Sequence, residues 1–290
     1  FPRALYQRAA QLGLLGLGYP EDLGGTPSSQ RMRNALAYSL ARHGASGGVF
    51  ASLLSHNIGL PPIVRHGSTE LQREVIAPVL RGEKIAALAI TESGGGSDVA
   101  ALRTTARRDG DHFIVDGEKT FITSGMRADF ITVAVRTGDA STYLDVLGDM
   151  PGSQQQARGA RGISLLVVPG DSKGLTRTPL QKMGWHCSDT AQLRFDNVRV
   201  PARYLIGEPG DGFKMIMGNF NAELLAMSVA ALGFAQACFD EALDWARQRK
   251  TFGQPLVEHQ VIRHKLVDMQ MRIHSTQAWV DTVSAQSDAG

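Results

Sequence analysis

The spacing of apolar residues changes twice along the chain, and this change most restricts the folds available to it. Up to about Lys84 the apolar residues recur mostly at helical intervals, then come β-branched and aromatic runs separated by turns, and the helical period returns after Pro201. Helices gathered in blocks on both sides of a β region argue for separate domains and against alternating βαβ units of the Rossmann type. We predict a multidomain fold with an N-terminal helical domain at 1–84, a middle β-barrel or β-sandwich domain at 85–205 and a C-terminal helical bundle at 206–290.

The middle region contains several runs with the composition of β-strands. The Asp116-Gly117 dipeptide between two of them is typical of a tight turn and predicts a β-hairpin. Residues 130–135 alternate between apolar and polar faces, residues 163–168 are continuously apolar, and residues 193–200 fit a strand with a bulge or turn. The stretch at 137–162, rich in Gly, Ser, Gln and Asp, predicts a long surface loop.

Charge and cysteine content narrow the classes of function. Thirty basic and 28 acidic side chains give a formal charge of +2, which is too small and too evenly spread to indicate a nucleic-acid partner. Cys187 and Cys238 are far apart in sequence, so we predict neither a disulfide framework nor a metal site. A reducing compartment is expected, the cytoplasm or, in a eukaryote, the mitochondrial matrix.

The most apolar segment predicts a buried helix. Residues 224–239 are interrupted by polar side chains and fall short of the roughly 20 apolar residues that span a bilayer, so we expect no membrane span. No targeting segment opens the chain, and it ends within a helical pattern. Both ends therefore resemble those of a fragment.

A single carboxylate interrupts an apolar helical stripe in the C-terminal region. At intervals of about 3.6 residues the stripe contains Ile216, Phe220, Glu223, Met227, Ala230, Phe234 and Cys238. Apolar surroundings disfavour the charged form of Glu223, which would raise its pKa and suit it to act as a general base. The alternative is an acid at the edge of the stripe that is ion-paired or solvated.

The segment LAITESGGGSD at 88–98 places three glycines between a predicted strand and Ser97-Asp98. Glycine lets backbone amides come close to an anion, so this segment could cradle a phosphate-bearing ligand. It is not the GxGxxG fingerprint, and an ordinary surface loop has the same composition. Glu92 within it is interpreted as an exposed loop carboxylate without a catalytic role.

Three further motifs follow in order, GEKTFITSG at 117–125, KMGWHCSDTAQLRFDNVRVP at 182–201 and ARQRKTFGQPLVEHQ at 246–260. Together with the glycine segment, they make the chain closely resemble the acyl-CoA dehydrogenase family over nearly its whole length. The resemblance implies an FAD enzyme with an N-terminal helical domain, a middle β domain and a C-terminal four-helix bundle, assembled as a homo-oligomer, either a dimer or a tetramer. No chemistry is assigned to His186-Cys187, which has no partner at metal-ligand spacing.

The resemblance also implies contacts to FAD from the first two domains. These contacts are Leu88, Ile90, Thr91, Ser97, Phe121 and Thr123. Thr91 would donate a hydroxyl at the flavin edge, and Ser97 would reach the pyrophosphate. Phe121, where many family members carry Trp, would lie against the flavin face, and Thr123 would lie near N5.

Four C-terminal positions match a motif that, in the family, reaches the FAD of a neighbouring subunit. They are Arg249, Thr251, Phe252 and Gln260. Oligomerisation would then complete the site. Without the resemblance, the same residues would be interpreted as an exposed basic helix end followed by a glycine turn.

The resemblance gives Glu223 a second line of support. In members similar to isovaleryl-CoA and long-chain acyl-CoA dehydrogenases, the catalytic glutamate aligns with this position. Most members instead use a glutamate in a helix pair that would follow Gly290. Leu224 stands where an arginine is usual, which changes the polar network expected around the base.

The implied reaction is α,β-dehydrogenation of an acyl-CoA to the trans-2-enoyl-CoA, in which Glu223 takes the α-proton, FAD takes the β-hydride and an electron-transfer flavoprotein accepts the electrons. One alternative is an acyl-CoA oxidase or flavin monooxygenase on the same fold. Another is a non-catalytic member that binds a CoA thioester or a protein. Bleaching of the flavin by an acyl-CoA, with or without peroxide release in air, separates the three.

Overall fold

The computed structural model describes residues 1–44, 46–137 and 160–289, so most of the loop predicted at 137–162 lies outside the described residues. The chain forms two compact units. Unit 1 comprises Phe1–Thr26 and Ala51–Asn221, and unit 2 comprises Pro27–Phe50 and Ala222–Gly290.

The N-terminal region is helical, as its periodicity predicts. Its helices are α1 (Arg3–Gln11), α2 (Gln30–Arg42), α3 (Gly47–Leu54), α4 (His56–Gly59), α5 (Pro61–His66) and α6 (Thr69–Leu80). Local side chains set several helix starts. The hydroxyls of Ser29 and Ser68 accept hydrogen bonds from backbone amides of the first turn and cap α2 and α6. Pro61 lies in the first turn of α5, where its missing N–H removes no helical hydrogen bond.

The middle region forms one eight-stranded sheet in unit 1, which confirms the predicted β domain. Its strands are β1 (Ala86–Ala89), β2 (Thr105–Asp109), β3 (His112–Thr123), β4 (Phe130–Arg136), β5 (Ile163–Pro169), β6 (Leu175–Pro179), β7 (Thr190–Pro201) and β8 (Leu205–Ile206). Their order in space is β6-β7-β3-β2-β4-β5-β8, and β1 pairs with β4 in parallel. Antiparallel pairing of β3 with β7 and of β4 with β5 supplies the longest ladders.

The β-hairpin predicted at Asp116-Gly117 is wrong. β3 is continuous through this dipeptide, and the chain reverses earlier, between β2 and β3. Gly117 lies at a register shift opposite β7, where Asn197 has a left-handed φ of 50° and donates its amide to Asp116 Oδ1 at 2.8 Å. A Cβ on Gly117 would lie 2.7 Å from the Thr104 hydroxyl. The dipeptide therefore lies at a bulge in a continuous sheet and does not form a turn.

The core of unit 1 lies around β4 and β5, which are buried almost from end to end. The continuous burial predicted for 163–168 is confirmed. The one-sided pattern predicted for 130–135 is wrong, because both faces of this part of the sheet are covered. Ile63 of α5 and Val75, Ile76 and Val79 of α6 belong to the same apolar cluster.

Unit 2 is helical. Besides α2, it contains most of α7 (Gly212–Gln248) and all of α8 (Gln260–Ala289), and β9 (Lys250–Thr251) and β10 (Gln254–Pro255) form a hairpin between these two helices. Its apolar core is small and centres on Leu232, Phe239 and Ile273. Gly233 allows α2 to approach α7 closely, since a Cβ there would lie 2.8 Å from the Tyr38 carbonyl oxygen.

The α7 helix is longer and more exposed than the sequence predicts. It has 37 residues, and by length and composition alone it could cross a membrane, with 28% of its most apolar 18-residue window buried. One such helix is weak evidence for a span, because core helices of soluble proteins have the same composition. Leu224 and Met227 are exposed, so the prediction of a buried helix at 224–239 holds for only part of this segment.

Candidate functional site

A β-bulge in β3 places Phe121 at the surface of unit 1. Between the pairs that Lys119 and Ile122 make with β7, two residues of β3 oppose one residue of β7. Phe121 has φ 61°, a conformation uncommon for a bulky side chain, and it is 69% exposed. Backbone strain of this kind persists where surrounding contacts enforce it, and it clusters at binding sites. An exposed aromatic ring at a fixed position is suited to stack on a planar ligand.

The same bulge holds the segment that follows β1. The ladder of β1 on β4 ends two residues before Thr91, and the Thr91 carbonyl accepts from the amide of Thr120 at 2.8 Å. Ile90 is buried, Thr91 is half-buried, and Leu88 lies within β1. The structure therefore brings Thr91 next to the bulge that carries Phe121.

The end of β3 is fixed by its neighbours. Thr123 is the last residue of the strand and is half-buried. Beyond it, Arg127 and Asp189 form an ion pair with an Nε–Oδ1 distance of 2.7 Å. Gly125 has no room for a side chain, because a Cβ would lie 2.7 Å from a carbonyl oxygen of β3. Thr123 thus keeps a set position, two residues along the strand from Phe121.

The glycine run begins as a tight turn with open space around it. The amide of Glu92 donates to the Gly95 carbonyl at 3.1 Å, and the reverse bond measures 3.2 Å. Gly94 and Gly95 have no left-handed φ, and a Cβ on either would meet nothing within 4 Å. Neither backbone conformation nor packing requires glycine there, whereas close approach of a phosphate-bearing ligand would. Ser97 is exposed just beyond this turn.

Glu92 is buried, and the expectation of an exposed loop carboxylate is wrong. Its side chain is 9% exposed and lies 2.8 Å from Nζ of the fully buried Lys119. Burial alone would raise the pKa of Glu92, but Lys119 and the Thr104 amide hold it below its usual range. Burial lowers the pKa of Lys119 to about 8.

Lys119 is a residue that sequence reasoning missed. It lies on the same face of β3 as Phe113 and Val115, both of which are buried. Strand alternation from those two apolar positions is the signal that could have placed it in the interior. The identity of its partner, 27 residues away, has no such local signal.

Glu223 lies on α7 in unit 2 and is half-buried. Its Oε2 atom is buried without a hydrogen-bond partner among the described residues. Desolvation raises the pKa of this carboxyl above its ordinary value. A carboxylate oxygen buried without a partner is unfavourable, so the position suits a group that takes up a proton. The adjacent Leu224 is exposed and offers no charge.

Arg249, Thr251, Phe252 and Gln260 lie together in the connection between α7 and α8. Thr251 Oγ1 is 3.1 Å from Nε2 of His259. Phe252, with φ 51° and 98% of its surface exposed, meets the His259 ring edge-on with 6.2 Å between centroids. Arg249 and Gln260 are exposed. This group therefore presents an aromatic ring and a cation to solvent.

Glu223 does not belong to that group. From Glu223 to the end of α7 at Gln248 the helix extends about 38 Å, at about 1.5 Å per residue. Glu223 is therefore far along α7 from the residues of the α7–α8 connection. Within the described parts of the chain, no cluster of three or more His, Cys, Asp or Glu side chains could hold a metal ion.

Known proteins match the chain along its whole length. Family models described as the N-terminal, middle and C-terminal domains of acyl-CoA dehydrogenase match residues 1–83, 87–198 and 210–290. Cyclohexane-1-carbonyl-CoA dehydrogenase of Geobacter metallireducens is 35% identical over 96% of this chain and 69% of its own length. Mitochondrial isobutyryl-CoA dehydrogenase of Dictyostelium discoideum is 34% identical over 100% of this chain and 65% of its own length.

A solved structure gives the same match. The crystal structure of a probable acyl-CoA dehydrogenase from Mycobacterium abscessus is 44% identical, with a TM-score of 0.91, and the match covers 100% of this chain and 73% of that one. The chain thus spans about two thirds of the length of the curated relatives described above, at 69% and 65%.

Proposed function

The chain belongs to the acyl-CoA dehydrogenase family, and from this premise we propose that it oxidises the Cα–Cβ bond of an acyl-CoA thioester to the trans-2-enoyl-CoA. Members of the family are FAD-dependent flavoprotein oxidoreductases. When bound, FAD supplies the acceptor for the hydride that leaves Cβ. The observation that carries the proposal is the half-buried Glu223, whose Oε2 has no partner among the described residues.

Glu223 is proposed as the base that removes the α-proton. Desolvation raises the pKa of its carboxyl, because a charge is less favourable there than in water. Taking the α-proton removes that charge, so the same desolvation that raises the pKa makes the carboxylate a stronger base. The exposed Leu224 leaves this effect undiminished, since it brings no cation to the carboxylate.

The face around the β3 bulge is proposed as the flavin site. The exposed Phe121 ring would stack on the isoalloxazine, and the hydroxyls of Thr91 and Thr123 would donate to its polar edge. Leu88 and Ile90 would supply the apolar floor beneath. The open glycine turn with Ser97 would receive the pyrophosphate, because its backbone amides can come close to an anion.

A second copy of the chain is proposed to complete this site. Arg249, Thr251, Phe252 and Gln260 lie about 38 Å along α7 from Glu223, too far to serve the reaction centre that Glu223 serves. We therefore assign their contacts to FAD held by a neighbouring subunit. Tetramers are typical of the family, and exposed apolar side chains on unit 2 give an oligomer a surface to bury.

The substrate is proposed to be a short acyl-CoA branched at the α-carbon. The substrates in the names of two of its relatives, cyclohexane-1-carbonyl-CoA and isobutyryl-CoA, both have a tertiary α-carbon. With such a substrate, the base removes the proton from an α-carbon that carries one more carbon substituent than the α-carbon of a straight-chain acyl group. We infer that an electron-transfer flavoprotein then accepts the electrons.

The test is an anaerobic titration of the FAD-loaded protein. Isobutyryl-, cyclohexane-1-carbonyl-, butyryl- and palmitoyl-CoA are added separately, and the visible band of oxidised flavin is followed. We expect the two branched thioesters to bleach the flavin fastest. Glu223→Gln should retain FAD, and its rate of flavin bleaching should fall by about 10³-fold, which is a typical contribution of general base catalysis. Glu241→Gln, an exposed glutamate on the same helix, is the matched control and should bleach normally.

Three results would contradict parts of this proposal. Normal bleaching by Glu223→Gln would remove Glu223 from the mechanism. Faster bleaching by butyryl-CoA would contradict α-branching while leaving the reaction intact. Rapid reoxidation in air with release of peroxide would indicate an oxidase in place of a dehydrogenase.

A further inference from the structure

The buried pair of Lys119 and Glu92 joins three separate segments of unit 1. Lys119 Nζ donates to Glu92 Oε1 at 2.8 Å and to the Ile90 carbonyl at 2.9 Å. Glu92 also accepts from the backbone amides of Arg103 at 2.6 Å and Thr104 at 2.9 Å. The chain after β1, the chain before β2 and the middle of β3 therefore meet at one ion pair.

The attraction between the two charges does not by itself explain this arrangement. Burying both charges carries a desolvation penalty of several kcal/mol per ion, and well-packed apolar residues in place of a buried ion pair are often equally stable or more so. An apolar pair would fill the space, but it would leave the Ile90 carbonyl and the two amides without these partners. The ion pair fixes the positions of these three backbone groups, because each of them is held by a hydrogen bond to one of the two side chains.

The segment that the pair fixes lies beyond the end of a ladder. β1 pairs with β4 only as far as Ala89. The next two carbonyls, of Ile90 and Thr91, are bonded to β3 instead, one through the Lys119 side chain and one through the Thr120 amide. Both of these donors lie within two residues of Phe121 on β3. The distance from Phe121 to the glycine turn is thus set by contacts that include the ion pair.

We propose that Lys119 and Glu92 are positioning residues that hold Thr91 and the glycine turn in the arrangement that FAD binding requires. The pair itself is buried and does not touch the ligand. Glu92 opens the glycine turn, and Lys119 ties the preceding residue to the strand that carries Phe121. This inference rests on the proposed flavin site and adds to it two residues that act through the backbone.

The test compares FAD binding with protein stability. In the double variant Lys119→Met/Glu92→Gln both charges are removed, side-chain size is kept, and an acceptor remains for the Thr104 amide. We expect the melting temperature of the apoprotein to fall, because methionine leaves the Ile90 carbonyl without its donor and glutamine keeps an acceptor for only one of the two amides. Its FAD dissociation constant, from quenching of flavin fluorescence, should rise at least about tenfold, and the visible band of the bound flavin should shift.

The matched control is Arg199→Met/Asp109→Asn, which neutralises an exposed ion pair between β7 and β2, the two strands that flank β3. It should change neither FAD affinity nor the flavin spectrum. If the double variant does not fold, Lys119→Gln/Glu92→Gln serves the same test, because glutamine at position 119 keeps a donor for the Ile90 carbonyl while both charges are removed.

The two possible failures are distinguishable. Wild-type protein that binds no FAD would contradict the proposed function, and this inference with it. If the wild type binds FAD, and the charge-neutral variant binds it with the same affinity and the same flavin spectrum, this inference alone is overturned. A purely structural pair would lower the melting temperature without changing the spectrum of the flavin that remains bound.

Discussion

In unit 1, β4 and β5 are buried almost from end to end, whereas in unit 2 the helices α7 and α8 leave Trp245, Met271 and Trp279 largely exposed. The proposed site residues differ in the same way. Around β3 they are fixed by a bulge, by backbone hydrogen bonds and by a buried ion pair. At the α7–α8 connection they lie on the surface.

Each unit contains an exposed phenylalanine in a left-handed backbone conformation, Phe121 in unit 1 and Phe252 in unit 2. Phe121 lies on a strand paired along its length, so its own unit determines its position. Phe252 lies in a two-residue-per-strand hairpin with one ring contact, to His259. In the proposed function, Phe121 accordingly contacts the FAD of its own chain, and Phe252 contacts the FAD of a second copy.

Core truncation tests the difference in packing and should give the largest change in stability. Leu166→Ala at the centre of β5 should lower the free energy of unfolding by about 4 kcal/mol, since a covered sheet cannot collapse into the cavity. Leu232→Ala in α7 should cost about 2 kcal/mol, because the small core of unit 2 can relax around it. Urea unfolding followed by circular dichroism measures both. Equal losses would contradict the contrast in packing.

Acid should lower the stability of unit 1 through a buried histidine. Among the described residues, unit 2 has no buried histidine. His56 is fully buried, donates from Nε2 to the Leu15 carbonyl at 3.0 Å, and burial lowers its pKa from 6.5 to about 4. Between these values the unfolded chain binds a proton that the folded chain does not, so stability falls as pH drops from 6.5 to 4, by up to about 3 kcal/mol.

The variant His56→Gln should flatten this acid limb, even if it is less stable at pH 7. His264→Gln, at an exposed position of α8, is its matched control and should keep the full pH dependence. Unfolding free energies at pH 7, 6, 5 and 4.5 measure the slope. An unchanged slope in His56→Gln would assign the acid sensitivity to other groups.

The sequence predicts the large features of the fold because they depend on local periodicity. The helical–β–helical order and the buried run at 163–168 follow from the spacing of apolar residues and are confirmed. The hairpin at Asp116-Gly117 is wrong because the same dipeptide also suits a bulge, and only the register of β7 decides between them. Local chemistry therefore identifies a strand more reliably than it identifies the bend within it.

The candidate site is less predictable, because its main contacts join distant residues. Glycine and serine neighbours suggest an exposed Glu92, yet Lys119, 27 residues away, buries it. The apolar stripe on α7 predicts one inward face, but Met227 and Cys238 on that stripe are exposed. Such a stripe does not distinguish a face buried in its own chain from one that a partner covers.

Assembly tests whether unit 2 acts through a second copy. Trp279→Ser removes a large exposed apolar side chain, so it should weaken self-association by about 2 kcal/mol, roughly thirtyfold, while leaving the unfolding free energy of the monomer nearly unchanged. Sedimentation velocity across a range of concentrations measures the change. Met183→Ser, at a fully exposed methionine of unit 1, should leave association as it is. If Met183→Ser weakens association and Trp279→Ser does not, the self-association surface lies on unit 1.

The two phenylalanines give the finest test of the comparison, with the smallest effect on stability. In Phe121→Gly and Phe252→Gly the strain of a left-handed φ is relieved while the unfolded chain gains backbone freedom, so each should change the free energy of unfolding by less than about 1 kcal/mol. Little burial is lost in either case, since both rings are largely exposed. Differences in FAD affinity between these variants can then be assigned to the ring itself.

Combining each variant with Trp279→Ser separates a contact within one chain from a contact between chains. Phe121→Gly should weaken FAD binding in both the assembled and the dissociated protein, because its ring is proposed to stack on the FAD of its own chain. Phe252→Gly should weaken FAD binding only when the protein is assembled, because its ring is proposed to reach the cofactor of a neighbour. Flavin fluorescence titrations of the four variants measure this. If Phe252→Gly weakens FAD binding in the dissociated protein as much as in the assembled protein, its contact with FAD lies within one chain. The main functional difference between the units is then removed.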